Sequence, residues 1–405
     1  MTFSRVPCLV DSLPLTSEAH VEVLRTPHAL EQVRSVWESW PGHCDSDLDF
    51  FLTVIQSSGE TVRPHVMVLY REGRADAILA GRLDRGAIDS RVGYLHFRTR
   101  ADILYFVYGA LRGNQSAGNC ELLVKEICAS LSRGEADVAY LNFVRTDSQF
   151  HASAISVPGL LCRDHIRNTQ PHFSLTLPRS AGDFYRGLSP KTRENIKYKA
   201  RKLRNDFSGP VWIRSFREVS DIDALAQDAE QVASKSYQRG LGVGFGDSPA
   251  MRDRLRLKAQ KGWLRAYILY IANRPIAYWI ADLNLRTLGG EFVGYDPDLA
   301  QYSPGMCLMT KVIEDMCNDP NHPIEEVDFA QGHAHYKEAL SNREWQEAAI
   351  YIFARSLKGL RLGFDRLVFG GTDMLAKRLI GHTKLVRRIK KAWRGRITPR
   401  KSIEP

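Results

Sequence analysis

Between Trp263 and Ala330 the chain reads strand, strand, strand, helix, strand, and few folds accept that order. Apolar runs at Trp263 to Ala272 and Ile276 to Leu285 flank Asn273-Arg274-Pro275, which predicts a hairpin, and a third run follows at Gly289 to Tyr295. Ser303 then offers a hydroxyl cap, and Pro304 takes the first helical position, where its missing N–H costs nothing. Leu308, Met309, Ile313, Met316 and Cys317 recur at helical spacing until Asp319-Pro320 ends the helix. Glu325 to Ala330 alternates as a strand, with Val327 and Phe329 on one face and Glu326 and Asp328 on the other.

A helix that begins straight after a strand turns unpaired N–H groups and its positive dipole end outward. Tyr302-Ser303-Pro304-Gly305 followed by Met306 would then make an anion site able to receive a pyrophosphate, such as that of a coenzyme A tail. Taken alone, the same residues also serve simply to start a helix.

The first half runs in a similar order. Val21 to Leu24 is a short strand, Ala29 to Trp40 a helical pattern, and Pro64 to Leu79 two β-like runs around Arg71-Glu72-Gly73. Val92 to Phe97 continues the sheet, Leu122 to Leu131 reads as a helix and Val138 to Phe143 as a strand. The halves share this order without sharing residues, as two tandem units would. A chain of 405 residues can bury two cores. The expected division is an N-terminal extension 1–20, a first unit 21–177, a second unit 178–358 and a basic amphipathic segment 359–405. No glycine-rich phosphate loop or acid–base pair stands out in the first unit, whose expected role is structural or acceptor-binding.

Between the halves, Phe173 to Leu177 reads as a strand, and Ser189-Pro190 starts a helix carrying Lys191, Arg193, Lys197, Lys199, Arg201, Lys202 and Arg204 against Glu194 alone. Like charges at neighbouring turns repel. The helix is therefore either a solvated face or a binding face for phosphates, with Lys191, Arg193, Lys197 and Arg201 as the candidate contacts. Arg239 to Asp247 alternates Gly240, Gly242, Gly244 and Gly246, which does not fit a dinucleotide fingerprint and suits a loop over the site. Tyr237 and Gln238 precede it and are candidate acceptor contacts; a helix-end tyrosine is the plainer alternative.

Gly294-Tyr295-Asp296-Pro297, Tyr302-Ser303-Pro304-Gly305, Asp328 with Gly332, and Tyr336-Lys337 together resemble the second half of GNAT-related acyltransferases of the cellulose-biosynthesis CelD type, with their BioF-like acetyltransferase domain. That group is similar to the Fem-type peptidoglycan transferases. The segment Ser236 to Gly242 shares the likeness, which covers about Pro171 to Arg355. The resemblance implies an α+β fold of two tandem GNAT-like units, a mixed β-sheet flanked by helices, with acetyl-CoA or another acyl-CoA as donor. One departure stands out: the usual GNAT phosphate loop is absent, and Ser303-Pro304-Gly305 occupies its place.

Acyl transfer to an amine requires a base, because a free amine holds its proton to about pH 10.4, and a proton for the departing thiolate. Glu291, in the third strand of the meander, and Asp328, on the strand after the helix, are the candidate bases; a paired strand-end carboxylate is the plainer alternative for each. Tyr336 can protonate a thiolate, and Lys337 can neutralise phosphate or acceptor charge. His333 and His335 alternate as if pointing one way from a strand, which makes them second-choice bases; with Asp328 as the sole third ligand nearby, no metal site is expected.

Charge bounds the partners. The net charge is +10, and from Lys377 onward eleven Lys or Arg stand against Glu404 alone, so the rest of the chain sums to zero. Leu375, Leu379, Val386, Ile389 and Trp393 recur at helical steps among those basic residues, which suits either an anionic membrane surface or packing back on the second unit. Seven scattered cysteines favour reduced thiols, and Met1 to Val10 lacks the apolar core of a signal peptide. A cytoplasmic protein is expected, peripheral at the inner membrane face if the tail binds there. The expected function is transfer of an acyl group, acetyl foremost, to an amine or hydroxyl of a cell-envelope or exopolysaccharide precursor. A Fem-type aminoacyl-tRNA-dependent transferase and a non-catalytic membrane-surface or complex-forming module are the alternatives.

Overall fold

The computed structural model describes residues 19–59, 62–92, 95–166, 168–236, 244–319 and 323–380, without the side chains of 89–97 and 369–380. Tyr237, Gln238 and the basic segment beyond Ile380 therefore lie outside the described residues. The strands in chain order are β1 (His20–Leu24), β2 (Val62–Pro64), β3 (Val66–Arg71), β4 (Arg74–Val92), β5 (Leu95–Gly113), β6 (Val138–Arg145) and β7 (Asn168–Thr176). The second half adds β8 (Val211–Phe216), β9 (Leu264–Ile271), β10 (Arg274–Asn284), β11 (Thr287–Tyr295), β12 (Glu326–Gln331) and β13 (Arg343–Phe353). They form one mixed sheet in the order β1-β3-β4-β5-β6-β13-β7-β12-β11-β10-β9-β8, with β2 on β4.

Two pairs in this sheet are parallel, β5 with β6 and β11 with β12. A parallel pair needs a crossover, and a helix supplies it in each half: Ala117–Ser132 in the first and Pro304–Asn318 in the second. Both pairs are short and then open. Ile103 to Phe106 face Val138 to Leu141, and Thr287 to Gly289 face Glu326 to Asp328. Two residues past the last pairing, each half places a non-glycine residue at positive φ, Phe143 at 48° and Ala330 at 60°. The halves thus repeat a backbone detail as well as an order, and the α+β fold with a large mixed sheet flanked by helices is the one expected.

Strand β13 lies between β6 and β7 and pairs with both. Its Ala348, Ile350 and Ile352 pack in the core of the first half with Trp37, Phe51, Phe106 and Ile127. The sheet of the second half is covered on both faces, so β10 reads as a continuous apolar run. Trp279 packs with Leu308, Ile313 and Val327 on one face. Tyr278 and Ile280 pack with Leu225 and Phe245 on the other.

Several local expectations need correction. Ala29 to Trp40 is two short helices, Pro27–Gln32 and Arg34–Ser39, broken at Val33, which takes φ −104° and ψ 6°. His333 and His335 are not on a strand: β12 ends at Gln331, and His335 opens the helix His335–Leu340. The sheet between Leu79 and Leu122 is longer than the apolar runs suggested, since β4 and β5 each span 19 residues.

Candidate active site

Opposite Ile280 and Ala281 of β10, β11 supplies Phe292 and Gly290, so Glu291 is the extra residue of a β-bulge. A bulge bends the strand and re-aims a side chain, here just where β11 parts from β12. A Cβ at Gly290 would stand 3.0 Å from Trp279 Nε1. A side chain at this position would press on the buried Trp279 indole.

Three cavities follow one another around this opening. One of about 350 Å³ lies at the start of the Pro304–Asn318 helix, walled by Tyr295, Ser303, Gly305, Met306, His335 and Tyr336. The next, about 440 Å³, fills the gap between the parted strands and shares Val293, Met309, Ala334 and Tyr336 with the first. The third, about 580 Å³, lies between the halves, where Tyr108, Asp45 and His43 of the first half face Asp282, Glu291 and Asp328 of the second. Gly290, Glu291, Ala330 and Gln331 wall both the second and the third. Glu291 is thus the one titratable side chain common to these two, and Tyr336 the one phenol common to the first two.

At the helix start, Ser303 does not cap with its hydroxyl as expected. It adopts φ 51° and ψ 54°, and its carbonyl instead receives the Cys307 N–H at 3.0 Å. This left-handed turn swings the chain from the 3₁₀ segment Pro297–Tyr302 into the helix, and the first-turn amides at Gly305 and Met306 have no partner within a helix. Tyr302 is turned away, its hydroxyl donating to Asp206 at 3.0 Å, and does not wall the cavity. Lys337 donates to the Ala330 and Gln331 carbonyls at 3.2 and 2.6 Å. Burial lowers its ammonium to about 8 against the pull of Asp328. These bonds hold the end of β12 in its bulged course.

Two buried cations line up behind the largest cavity, each between two carboxylates. Lys258 Nζ lies 2.7 Å from Asp282 Oδ2 and 2.6 Å from Glu291 Oε2. Burial works against its charge, yet the two carboxylates hold the ammonium well above the ordinary lysine value. Burial likewise pushes Asp282 above the usual carboxylate range despite Lys258. On the other wall, His172 Nε2 lies 2.6 Å from Asp328 Oδ1, and its Nδ1 lies 3.0 Å from Glu347 Oε2. Burial pulls this imidazole down, but the carboxylates outweigh it and raise it to about 9. Tyr108 and Trp345 both donate to Glu347 Oε1 at 2.9 Å, and Trp345 stacks on His172 at 4.3 Å.

The remaining wall is the loop from Trp40 to Ser46. Arg112 fixes it through the Trp40 and His43 carbonyls and Ser46 Oγ, and Asn284 reaches across to the Gly42 carbonyl at 2.8 Å. Both halves therefore set the shape of the cavity.

Of the residues singled out from sequence, the structure brings together Glu291, Asp328, Tyr336, Lys337, Ser303, Gly305 and Met306. Lys191, Arg193, Lys197 and Arg201 wall none of the three cavities; Lys197 lies over the Tyr185 ring, and Ser189 caps their helix at the Thr192 N–H. His333 pairs with Glu338 at 3.1 Å on the surface. Sequence reasoning missed Lys258, Asp282, His172, Glu347 and Tyr108. Asp282 had a signal, as the one acid in the apolar run from Ile276 to Leu283. Among the described residues no group of three or more His, Cys, Asp or Glu is placed to hold a metal. No described helix is long and apolar enough to cross a membrane.

The family model described as an acetyltransferase (GNAT) domain matches residues 190–338. The match puts an acyltransferase domain in the half that holds Glu291 and Tyr336, and a domain of this kind implies an acyl-CoA donor. No curated protein matches the chain. Among solved structures the chain is similar to a conserved protein of unknown function from Bacteroides thetaiotaomicron, at 11% identity and TM-score 0.47, covering 82% of this chain and 100% of that one. It is also similar to FemX, at 8% identity and TM-score 0.49, covering 81% and 96%. A tandem GNAT protein from the clavulanic acid biosynthesis pathway is similar at 11% identity and TM-score 0.46, covering 84% and 99%.

Proposed function

We propose that the protein transfers an acyl group, acetyl in the simplest case, from acyl-CoA to an amine that enters the cavity between its halves. The observation that carries this reading is the position of Glu291, on a bulge shared by the gap in the sheet and the largest cavity. The donor pyrophosphate would lie at the Gly305 and Met306 amides, where a helix start favours negative charge. Its thioester arm would run through the gap past Tyr336.

Glu291 takes a proton from the acceptor ammonium. The freed nitrogen attacks the thioester carbon, the new C–N bond forms and the C–S bond breaks. Tyr336 gives its phenolic proton to the thiolate and regains one from the acylated nitrogen. Amide, free thiol and one proton released to solvent balance the step. The resemblance to CelD-type enzymes extends the proposal to an acceptor that is an envelope or exopolysaccharide precursor. The exposed Lys191, Lys197 and Arg201 would serve its phosphates from outside the cavities.

Mass spectrometry of the purified protein for bound acyl-CoA, followed by thermal shift across an acyl-CoA series, tests the donor. A ligand that binds the folded state raises its stability by mass action. Salt-sensitive tRNA binding with no response to any acyl-CoA would instead favour the aminoacyl-tRNA alternative.

A further inference from the structure

The largest cavity is charged in a way that acyl transfer alone does not require. Lys258 with Asp282 and Glu291, and His172 with Asp328 and Glu347, are each one cation between two carboxylates. Each group, with its carboxylates ionised, keeps one negative charge, and Asp45 adds another at the mouth. Asp282 is 8% exposed and walls the cavity, and its Oδ1 has no hydrogen-bond partner among the described residues. Lys258 occupies only Oδ2. A buried carboxylate oxygen left without a donor at the wall of a cavity is a place for one from a ligand.

The sheet sets a second point of contact. Asp282 pairs with Gly289, and Gly289 with Asp328, so the three form one row across β10, β11 and β12. Neighbouring strands lie about 4.8 Å apart, which separates the two aspartate backbones by roughly 9.6 Å. The residue between them is a glycine, which raises no side chain in the gap. Glu291 stands two residues further along the middle strand.

We propose that the cavity selects an acceptor with two amino groups, a diamine or a diamino sugar, holding one as ammonium in the Asp282–Gly289–Asp328 row while the other is acylated at Glu291. The inference rests on the acyl-transfer reading and names the chemical class of its acceptor. A single amine leaves the negative row unmatched, and an acceptor with its phosphate inside the cavity meets like charge.

The test pairs acceptors of equal size: cadaverine against hexylamine, and a diaminohexose against glucosamine. Free thiol release from acetyl-CoA is followed with wild type, Asp282→Asn and Gly289→Leu. A Cβ at Gly289 meets only the Asp282 carbonyl, at 3.8 Å, an ordinary contact, so the substitution starts without a clash and is expected to fill the gap. Wild type is expected to favour the two-amine member of at least one pair by about tenfold or more in kcat/KM, the size of one added charged contact. Both substitutions should pull that ratio towards one, and the pair that shows it tells a free diamine from a sugar. Equal kcat/KM within both pairs for wild type overturns the inference. Calorimetry of cadaverine and of the diaminohexose with the CoA-loaded protein separates the two readings. Binding that Gly289→Leu removes, with no amine acylated, upholds the cation site and sinks acyl transfer; no binding to wild type sinks the cation site.

Discussion

His172 and Asp328 meet at 2.6 Å across β7 and β12, and the same imidazole reaches Glu347 on β13, so one side chain ties three neighbouring strands at the junction of the halves. Its proton is part of that tie. The folded state raises His172 from 6.5 to about 9. A raised histidine gives its full stabilisation below the unfolded value and loses it as pH climbs through the folded one. Stability is therefore expected to fall between about pH 6.5 and 9, by on the order of 3 kcal/mol. Urea midpoints of wild type and His172→Asn across this range measure it. The variant should show a much flatter profile, and parallel profiles would remove His172 as the cause.

Lys258 makes the matching prediction on the other wall. Replacing it by methionine leaves the buried Asp282 carboxylate without a counter-charge and beside the partly exposed Glu291, which costs about 3–5 kcal/mol. Adding Asp282→Asn and Glu291→Gln removes the stranded charges and should restore most of that loss. Chemical denaturation of the single and triple variants decides it: equal instability would mean that packing of the lysine stem, and not its charge, is what the site needs.

The elements that border the gap were legible in the sequence because their signals are local. Turn residues, a Pro at a helix start and period-two alternation place Glu291, Asp328 and Gly305 on their observed elements, whereas the short helix that carries Tyr336 gave no such signal. The buried ion clusters were not legible, because their partners lie far apart in the chain: His172 and Asp328 by 156 residues, Lys258 and Glu291 by 33. Burial turns such residues into pairs, and burial is a property of the whole sheet. The order of β13 between β6 and β7 was hidden for the same reason, since a strand's pattern does not name its neighbours. Ser303 shows the reverse error. Its type suits a cap, but the backbone enters the helix through a left-handed turn that points the hydroxyl elsewhere.

Glu291→Gln keeps the shape of the bulge and removes the base. Turnover is expected to fall by about a hundredfold or more with acyl-CoA affinity unchanged, since a positioned base contributes on that scale. Asp328→Asn strips His172 of a partner, so its effect should appear first as lost stability. Steady-state kinetics beside calorimetry of acyl-CoA would separate the two. Near-normal turnover in Glu291→Gln would pass the role of base to another group on the cavity wall.

Gly305 tests the donor end. A Cβ there meets only Tyr295 Cδ1, at 3.6 Å, and the residue walls the 350 Å³ cavity at the first turn of the helix. A Cβ is therefore accommodated, and a glutamate carboxylate is expected to stand where the pyrophosphate would lie. Like charge in that position should weaken acyl-CoA binding by about tenfold or more, equivalent to roughly 1.4 kcal/mol. An acidic residue near a helix start does not itself weaken the helix, because the dipole favours negative charge there. Thermal stability without ligand is thus expected to hold while the shift produced by acyl-CoA shrinks. A full-sized shift in Gly305→Glu would move the donor phosphates away from this helix.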